Sequence, residues 1–381
     1  TALLLLPFAL LWRPVRERAI YRTWLLAALY PLLLAPTRLL PPTLSVVVAL
    51  LQLLLTLLFA LGLYLVVRRQ KQAALNHSSP DPHTPDQPGI AGPAWGWAAG
   101  AAAGLALPWL TRGALGSWEE ALLSLLLGLA FGAAAAFLPA IFWQPGLAVD
   151  GRGRGADIFA GGLVLAAALV CMASGLNLNG VQLALMVALS SLGVAAAALA
   201  YAPRGFDWRP PALLMGLGAA IPLAFTDPGT MAVEAGDPAL GAAWQAALLM
   251  AFFGSLLAVA ALIWRRRWGA GGRSLPAFAG AAALWAAALV AYVVAGAPGF
   301  YGDRLFVLLD SQADVSFAAT IDDYDERRQA VYTTLVEHAQ SSQAPLRTAL
   351  DRWRLVYTPY YLVNAVEVEG GLRASLLLAG E

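Results

Sequence analysis

Long apolar runs separated by short polar segments dominate the first 298 residues of this chain. The clearest run extends from Leu44 to Val67 without a charge and is followed by Arg68 and Arg69. A membrane-spanning helix needs about 20 apolar residues. The pattern therefore predicts an all-α polytopic membrane bundle of about nine or ten transmembrane helices. The predicted spans lie near 20–35, 43–67, 94–111, 119–143, 157–175, 180–202, 211–226, 241–264 and 276–297, and residues 2–12 resemble the end of one more.

The composition supports a membrane protein. Of the 381 residues, 60% are hydrophobic and 12% are charged, and the mean hydropathy is +0.67; soluble domains carry about 25% charged residues. Residues 1–300 hold 17 basic and 11 acidic side chains, whereas residues 301–381 hold 7 and 12. Because no basic cluster lies in the polar C-terminal part, we expect no nucleic-acid binding. A single cysteine, Cys171, excludes a disulfide or a cysteine-held iron–sulfur cluster within the chain.

The positions of the basic residues predict an orientation. Cytoplasmic loops of membrane proteins are enriched in Arg and Lys. If alternate loops share a side, one side holds fifteen basic residues, and the other, up to residue 300, holds only Arg38 and Arg112. We therefore expect the protein to lie in the cytoplasmic membrane with the fifteen facing the cytoplasm and residues 299–381 facing outside. The fifteen are Arg13, Arg16, Arg18, Arg22, Arg68, Arg69, Lys71, Arg152, Arg154, Arg204, Arg209, Arg265, Arg266, Arg267 and Arg273.

Two adjacent predicted spans carry small residues at intervals of four. They are Gly92, Gly96, Gly100 and Gly104 in the first span, and Gly128, Gly132 and Ala136 in the second. This spacing forms a shallow groove along one side of a helix, where a second helix can approach closely. We interpret the two rows as the contact of an intramolecular hairpin formed by these two spans. A helix of a partner subunit in the groove is the alternative.

Ionisable residues are absent from the middle of every predicted span. Transporters, channels and proton relays place such groups, or strongly polar ones, at mid-depth, so the pattern argues against those functions. We expect one interhelical hydrogen bond from each of the most polar residues in the spans, which are Gln52, Ser190, Ser191 and Gln245. His77 and His83 lie in the polar, Pro-rich cytoplasmic linker 68–93, and His338 lies near the C-terminus. We predict no metal site, no cofactor and no catalytic residue.

A Gly-rich segment, GRGRGADIFAGGLVL at 151–165, leads from a predicted loop into a span. Gly153, Gly155 and Asp157 give residues 119–170 a weak resemblance to the second aspartate motif of the prepilin peptidases. That chemistry needs two carboxylates, and no second Asp occupies an equivalent place in another span. We interpret Asp157 as the N-cap of the next helix, with a degenerate relative of the peptidases as the alternative.

Residues 299–381 have the pattern of a small water-soluble module. The run RLFVLL at 304–309 predicts a buried strand, and residues 322–340 predict a helix whose start is favoured by two Asp residues. Pro345 opens a second helical stretch. YTPYYLV and the alternating AVEVE then predict two strands, the second half-exposed, before a final helix begins. This order is most of a ferredoxin-like α/β sandwich. Because the sequence begins with Thr and ends inside a predicted helix, we expect further residues at both ends.

The module resembles a known type of propeptide. The segments YGDRLFVLLDSQADVSFAA, SQAPL and YYLVNAVEVEG are similar to the inhibitor I9-type propeptide of subtilisin-family serine peptidases. The resemblance implies a chaperone and inhibitor that docks on a peptidase through its sheet. It suggests Tyr360, Tyr361, Val366 and Val368 as docking residues. No segment of the chain resembles the catalytic Asp, His or Ser motifs of that family, so these residues contain no serine peptidase site.

Two functions of different classes follow from the sequence. The first is a non-catalytic accessory or scaffold subunit. It would bind other membrane subunits through helix packing and would dock its extracytoplasmic module on a protein surface of a larger complex, for example one that transfers electrons. The second is the membrane-anchored N-terminal part of a subtilisin-like peptidase precursor. We prefer the first, because no nucleophile, base and orienting group can be assembled from these residues.

Overall fold

The chain divides into two compact units, Thr1–Pro298 and Gly299–Glu381. A computed structural model describes residues 15–40, 45–77, 92–110, 115, 118–142, 154–177, 181–202, 205–226, 237–268, 274–295, 304–369, 374 and 377–378. The first unit is a helical bundle, and the described residues 304–369 of the second combine two α-helices with a small sheet. The chain is therefore mostly helical, as the sequence predicts.

The described part of the first unit contains ten α-helices, and every predicted apolar run corresponds to one helix or to a broken pair. They are α1 (Val15–Leu34), α2 (Ser45–His77), α3 (Gly92–Leu110), α4 (Trp118–Phe142), α5 (Arg154–Ala173), α6 (Val181–Ser190), α7 (Leu192–Ala200), α8 (Arg209–Ala224), α9 (Asp237–Trp268) and α10 (Ser274–Ala295). A 3-10 helix, Ala35–Leu39, continues α1. Two strands of two residues each, β1 (Tyr201–Ala202) and β2 (Gly205–Phe206), form a hairpin between α7 and α8.

Five described helices are long and apolar enough to cross a membrane. These segments are Arg18–Leu39, Val46–Gln70, Trp118–Ala140, Gly241–Ile263 and Pro276–Ala295, and the bent pair α6–α7 would make a sixth. The apolar part of α5, Ile158–Ala173, is shorter. The helices therefore support a membrane protein, although fewer of them meet the length and hydropathy expected of a span than the nine or ten predicted. The predicted segment 2–12 lies outside the described residues.

The predicted span 180–202 is broken into α6 and α7, which meet at an angle of 42°. At the break, the Ser190 hydroxyl donates to the Val187 carbonyl at 2.9 Å, and the Ser191 hydroxyl donates to the Ala188 carbonyl at 2.7 Å. Such bonds from Ser to the preceding turn compete with the helical ladder and bend helices. The expectation of interhelical hydrogen bonds from these two serines is therefore wrong, because their hydroxyls bond within their own helix.

Helix contacts show which ends of the helices lie together. Near the end of α4, the Phe137 ring lies 4.9 Å from Trp208, which precedes α8, and 5.8 Å from Tyr64 toward the end of α2. The start of α5 packs against the ends of α7 and α9, because Ile158 clusters with Ala198 and Leu262. The ends of α2 and α4 therefore meet the start of α8, and the start of α5 meets the ends of α7 and α9.

Parallel helix pairs extend this arrangement. The start of α3 contacts the start of α10, because Gly96 lies against Ala277. Helix α1 runs alongside α5 in the same direction: the Trp24 indole donates to the Val164 carbonyl at 3.1 Å, and Pro31 lies against Gly175. Trp95 near the start of α3 and Trp208 before α8 line one cavity. With the short hairpin that joins α7 to α8, these contacts gather the starts of α1, α3, α5, α8 and α10 at one end of the bundle.

We call this end of the bundle the basic end. The described residues place five arginine side chains there, Arg18, Arg22, Arg68, Arg69 and Arg209. At the opposite end, Arg38 follows α1 and donates to the Ser174 carbonyl after α5. Among the arginine side chains that the structure describes in the bundle, these five therefore lie at one end and Arg38 lies at the other.

The second unit contains a three-stranded antiparallel sheet. Its elements are β3 (Arg304–Leu308), a 3-10 helix (Ser316–Thr320), α11 (Tyr324–Ser342), α12 (Ala344–Trp353), β4 (Val356–Tyr360) and β5 (Ala365–Glu369). Strand β5 is in the middle and is antiparallel to both neighbours, with Glu369 opposite Arg304 on one side and Val356 on the other. Consequently β3 and β4 point in the same direction with β5 between them.

The helix boundaries of this unit follow from capping. The Asp323 carboxylate accepts the Glu326 amide at 2.8 Å and caps α11, which stabilises the otherwise unpaired amides of the first turn. Pro345 lies in the first turn of α12, where its missing amide hydrogen has no consequence. Arg354, in the left-handed conformation with φ 55°, ends α12.

The hydrophobic core of this unit lies on one face of the sheet. The buried core residues are Leu350, Leu355, Val366, Val368 and Ala374. Leu305 and Val307 pack against them from β3, whereas Phe306 and Leu308, which alternate with them along the strand, are each 59% exposed. The prediction that 304–309 forms a buried strand is therefore wrong: side chains alternate between faces along a strand, and the core described here uses only one face.

Candidate functional site

The small residues of α4 form a close contact with α8. A Cβ atom added at Gly128 would lie 2.5 Å from the Ala220 backbone, and one added at Gly132 would lie 2.5 Å from the Gly216 Cα and overlap the Ala212 carbonyl. Carbon atoms that are not bonded separate by about 3.5–4.0 Å. The observed approach of α4 and α8 therefore depends on glycine at both positions.

The row on α3 makes a graded contact with α10. A Cβ at Gly96 would lie 2.6 Å from the backbone carbon of Ala277, whereas one at Gly100 would make ordinary contact with Leu284 at 3.4 Å. A Cβ at Gly104 would have no neighbour within 4 Å. Gly92 begins α3, and its surroundings lie outside the described residues. Among Gly96, Gly100 and Gly104, close approach is thus confined to Gly96.

The two glycine rows do not face each other, so the interpretation of α3 and α4 as a hairpin packed through them is wrong. Each row meets a different helix that carries its own small residues at intervals of four. These are Ala212, Gly216 and Ala220 on α8, and Ala277 and Ala281 on α10. Two matched rows allow closer backbone approach than one row against large side chains. The same spacing is present in the sequence of α8 and α10, but it identifies them as the partners only together with these contacts.

The polar residue Gln52 takes part in a buried network between α1 and α2. Its amide donates to the Thr37 hydroxyl at 3.2 Å, and Thr37 donates to the Leu34 carbonyl at 2.7 Å. One turn further along α2, the Thr56 hydroxyl lies 2.9 Å from the Tyr30 hydroxyl. Gln52 therefore makes the hydrogen bond expected of it, and the network couples two helices without an ionisable group.

The titratable residues proposed for other roles do not converge. Among the described residues, no three His, Cys, Asp or Glu side chains lie close enough together to hold a metal ion. Helix α5 starts at Arg154, so Asp157 lies within its first turn instead of at the N-cap position. His77 ends α2, and His83 falls outside the described residues. His338 is half-buried on α11, with its Nε2 3.1 Å from the Ser311 carbonyl.

One face of the sheet in the C-terminal unit is exposed. We call this surface the open face, formed by the outward residues of β3, β4 and β5: Arg304, Phe306, Leu308, Val356, Thr358, Tyr360, Glu367 and Glu369. Four of these are large hydrophobic residues between 40% and 65% exposed, namely Phe306, Leu308, Val356 and Tyr360. An apolar surface on a rigid sheet is typical of a protein contact site.

Val366 and Val368 lie on the inner face and are fully buried. They pack against Leu350 of α12, so they stabilise the unit and cannot form a docking surface in this fold. Their expected docking role is therefore wrong. On β5, the outward positions belong to Glu367 and Glu369, because alternate side chains of a strand point to opposite faces. Tyr360, in contrast, lies on the open face.

Specific contacts hold the open face in shape. The rings of Phe306 and Tyr360 lie 5.6 Å apart across β5, and the Tyr360 hydroxyl donates to the Glu367 carboxylate at 2.8 Å. Arg304 forms exposed ion pairs with Glu367 at 3.5 Å and Glu369 at 3.6 Å. The hydrogen bond to Glu367 raises the pKa of Tyr360 above its ordinary value. The hydrogen bond from Tyr360 to Glu367 therefore stabilises the folded unit below about pH 10, and this stabilisation is lost as the pH rises through the raised pKa of Tyr360.

The turn between β4 and β5 continues the open face with Tyr361, Leu362 and Val363, which are 40%, 73% and 47% exposed. Tyr361 lies edge-on to Tyr332 of α11, with ring centroids 5.5 Å apart. The exposed Leu and Val side chains leave apolar surface in contact with water, which is unfavourable. Exposed apolar patches of this kind are typical of protein contact sites.

Buried amides fix this turn. The Gln343 side chain donates to the Tyr360 carbonyl at 2.8 Å and to the Asn364 amide oxygen at 2.9 Å. The Asn364 amide donates in turn to the Ser311 carbonyl at 2.6 Å. Gln343 and Asn364 are both at least 97% buried. Because buried amides are stable only when they are hydrogen-bonded, the network holds the apolar turn in one conformation.

Comparison with known protein families, with characterised proteins and with solved structures found no match. Function must therefore be argued from the geometry of the two units themselves. The open face is the feature of the structure that sequence patterns alone did not define.

Proposed function

We propose that this protein is a non-catalytic accessory subunit of a membrane complex, in which the open face and the adjoining turn bind another protein. The observation that carries the proposal is the set of exposed apolar side chains on a surface fixed by hydrogen bonds: Phe306, Leu308, Val356, Tyr360, Tyr361, Leu362 and Val363. A pre-ordered apolar surface binds with a smaller loss of conformational entropy than a flexible one.

The chemistry of the surface supports a protein partner. Aromatic residues and a buried apolar centre distinguish protein interfaces from the rest of a surface, and a polar rim surrounds them. Phe306 and Tyr360 supply the aromatic centre, and Arg304, Glu367 and Glu369 lie beside it. The acidic surplus of residues 301–381 suits a partner with a basic or polar surface, because complementary charge speeds association and selects partners.

We further propose that the basic end of the bundle faces the cytoplasm and that residues 299–381 lie outside the cytoplasmic membrane. The separation of the arginines into two ends of the folded bundle supports this orientation. All the apolar helices would then cross the membrane, with α6 and α7 together forming one crossing, including those that are shorter than an average span. Exposed apolar side chains on α9 and α10 would face lipid or partner subunits, for example Leu248, Phe252, Leu289 and Val293.

A second candidate function is the anchored propeptide part of a subtilisin-like peptidase precursor. Strand β5 lies between β3 and β4, which point the same way, as in the split β-α-β arrangement of ferredoxin-like folds. This strand order and the resemblance of residues 301–381 to the I9-type propeptide favour the candidate. The open face would then bind a peptidase domain.

Deleting residues 301–381 tests whether the module retains a partner. We expect the deleted protein to stay in the membrane, because the bundle has its own core, and to lose the partner in a gentle detergent pull-down. The full-length protein, with the same tag, is the control. Retention of every partner by the truncated protein would contradict the docking proposal. Recovery of a peptidase as the partner would favour the second candidate.

Cysteine labelling tests the orientation. With Cys171 replaced by Ser, single cysteines at Ser79 and at the exposed Asp325 should react differently with an impermeant maleimide in intact cells. We expect labelling at position 325 and not at 79, because position 79 lies in the linker 68–93, which is predicted to be cytoplasmic. The opposite pattern would reverse the topology, and equal labelling after cell lysis shows that both sites are reactive.

A further inference from the structure

An open cavity of about 290 Å³ lies between the starts of α3 and α8 and the middle of α4. Two half-buried tryptophans, Trp95 and Trp208, line it with the exposed Arg209, and Leu129, Ala212 and Leu213 complete the lining. The lining therefore combines apolar side chains with two aromatic rings and one cation, and the cavity is located at the basic end.

Water is a poor occupant of this cavity. An ordered water needs two to four polar partners, and apart from Arg209 and the indole N–H groups the side chains that line the cavity are apolar. A hydrocarbon chain matches the Leu and Ala walls. Tryptophan is typical of the level at which lipid headgroups meet the hydrocarbon region, which places a headgroup beside Trp95 and Trp208.

Arg209 specifies the charge of that headgroup. Its side chain is exposed, and among the described residues no acidic side chain lies within ion-pair distance of its guanidinium. The carboxylate of Asp207, two residues earlier, accepts the backbone amide of Arg209 at 3.0 Å. Guanidinium groups bind phosphate through paired hydrogen bonds. A phosphate diester with apolar chains satisfies both Arg209 and the apolar lining.

We propose that this cavity binds one anionic phospholipid, with its phosphate on Arg209 and one acyl chain against Leu129 and Leu213. The proposal depends on the bundle being in a membrane and is independent of the docking role of the C-terminal unit. It assigns to the cavity a structural lipid that fills the gap between α3, α4 and α8.

Lipid retention by the purified full chain tests the site. Native mass spectrometry and thermal unfolding would be measured in detergent with added dioleoylphosphatidylglycerol or dioleoylphosphatidylcholine. We expect one phosphatidylglycerol to be retained and to raise the unfolding temperature. Arg209→Gln should weaken this binding about tenfold or more, the range for one lost charge-assisted contact. Leu213→Trp, which fills the cavity, should abolish it.

Matched controls separate the alternatives. Arg69→Gln removes an exposed charge at the same end that does not line the cavity, and it should bind phosphatidylglycerol like the wild type. Arg209→Lys keeps the charge and should retain most of the preference. Equal binding of the two lipids, equal effects at positions 69 and 209, or unchanged binding by Leu213→Trp would overturn the proposal. Equal stabilisation by glycerol phosphate alone would identify a site for a soluble anion and overturn it as well.

Discussion

Gly132→Ala should markedly lower the amount of folded protein in the membrane, although it adds only one methyl group. The new Cβ would overlap the Ala212 carbonyl and lie 2.5 Å from the Gly216 Cα. Both are backbone atoms of α8, so neither can move aside as a side chain could, and the two helices must separate. Overpacking of this kind destabilises a folded protein by about 1–3 kcal/mol, and Gly132→Leu should have a larger effect.

Gly104→Ala is the matched control for this variant. Gly104 belongs to the other glycine row, but a Cβ there meets nothing within 4 Å. Because Ala favours a helix over Gly by up to about 1 kcal/mol, this variant should be neutral or slightly stabilising. Accumulation and thermal unfolding in detergent would be compared for the two. Similar behaviour of Gly132→Ala and Gly104→Ala would show that the contact of α4 with α8 does not depend on glycine.

Val366→Asp should unfold the C-terminal unit while the bundle stays intact. Val366 is fully buried beside Leu350 on the inner face of the sheet, and no positively charged side chain is among the core residues described there. An uncompensated buried charge costs about 3–5 kcal/mol, which is a large part of the stability of a small domain. Limited proteolysis of the full chain should cleave residues 304–369 in the variant and spare them in the wild type.

A substitution on the opposite, exposed face of the same sheet gives the contrasting variant. Phe306 is 59% exposed and lies opposite Glu367 on the open face. Phe306→Glu should leave the unit resistant to proteolysis, because it removes no core residue, but it should weaken partner binding by placing a charge in the apolar centre. Proteolysis of Phe306→Glu as fast as that of Val366→Asp would mean that the open face is part of the core.

The sequence was sufficient to predict which segments are helical. A run such as 44–67 strongly favours a helix. An uncharged apolar stretch of that length must be buried in protein or lipid, where a helix satisfies its backbone hydrogen bonds internally. Capping by Asp323 and the position of Pro345 likewise follow from local chemistry. The bend at Ser190 could not be read in the same way, since Ser in a helix bonds either its own backbone or a neighbouring helix.

The partners of the helices and the faces of the strands required the structure. The glycine rows on α3 and α4 indicate close packing but do not name the helix that fits against them, and the matching spacing on α8 and α10 became meaningful only with the contacts. On β5, the alternation of AVEVE predicts two faces without showing which is covered. The two valines are covered by α12, so the docking surface lies on the opposite face, with Phe306 and Tyr360.

Photo-crosslinking from the open face is the most direct test of the docking role. A photoreactive amino acid would be placed at Phe306 in the full chain and, as a control on the same unit, at the exposed Asp325 of α11, and irradiated in intact cells. We predict a discrete crosslinked protein partner from position 306 that is absent from position 325. Crosslinks of equal yield from both positions, or none from position 306 when the unit is folded, would contradict the assignment of the open face as the binding surface.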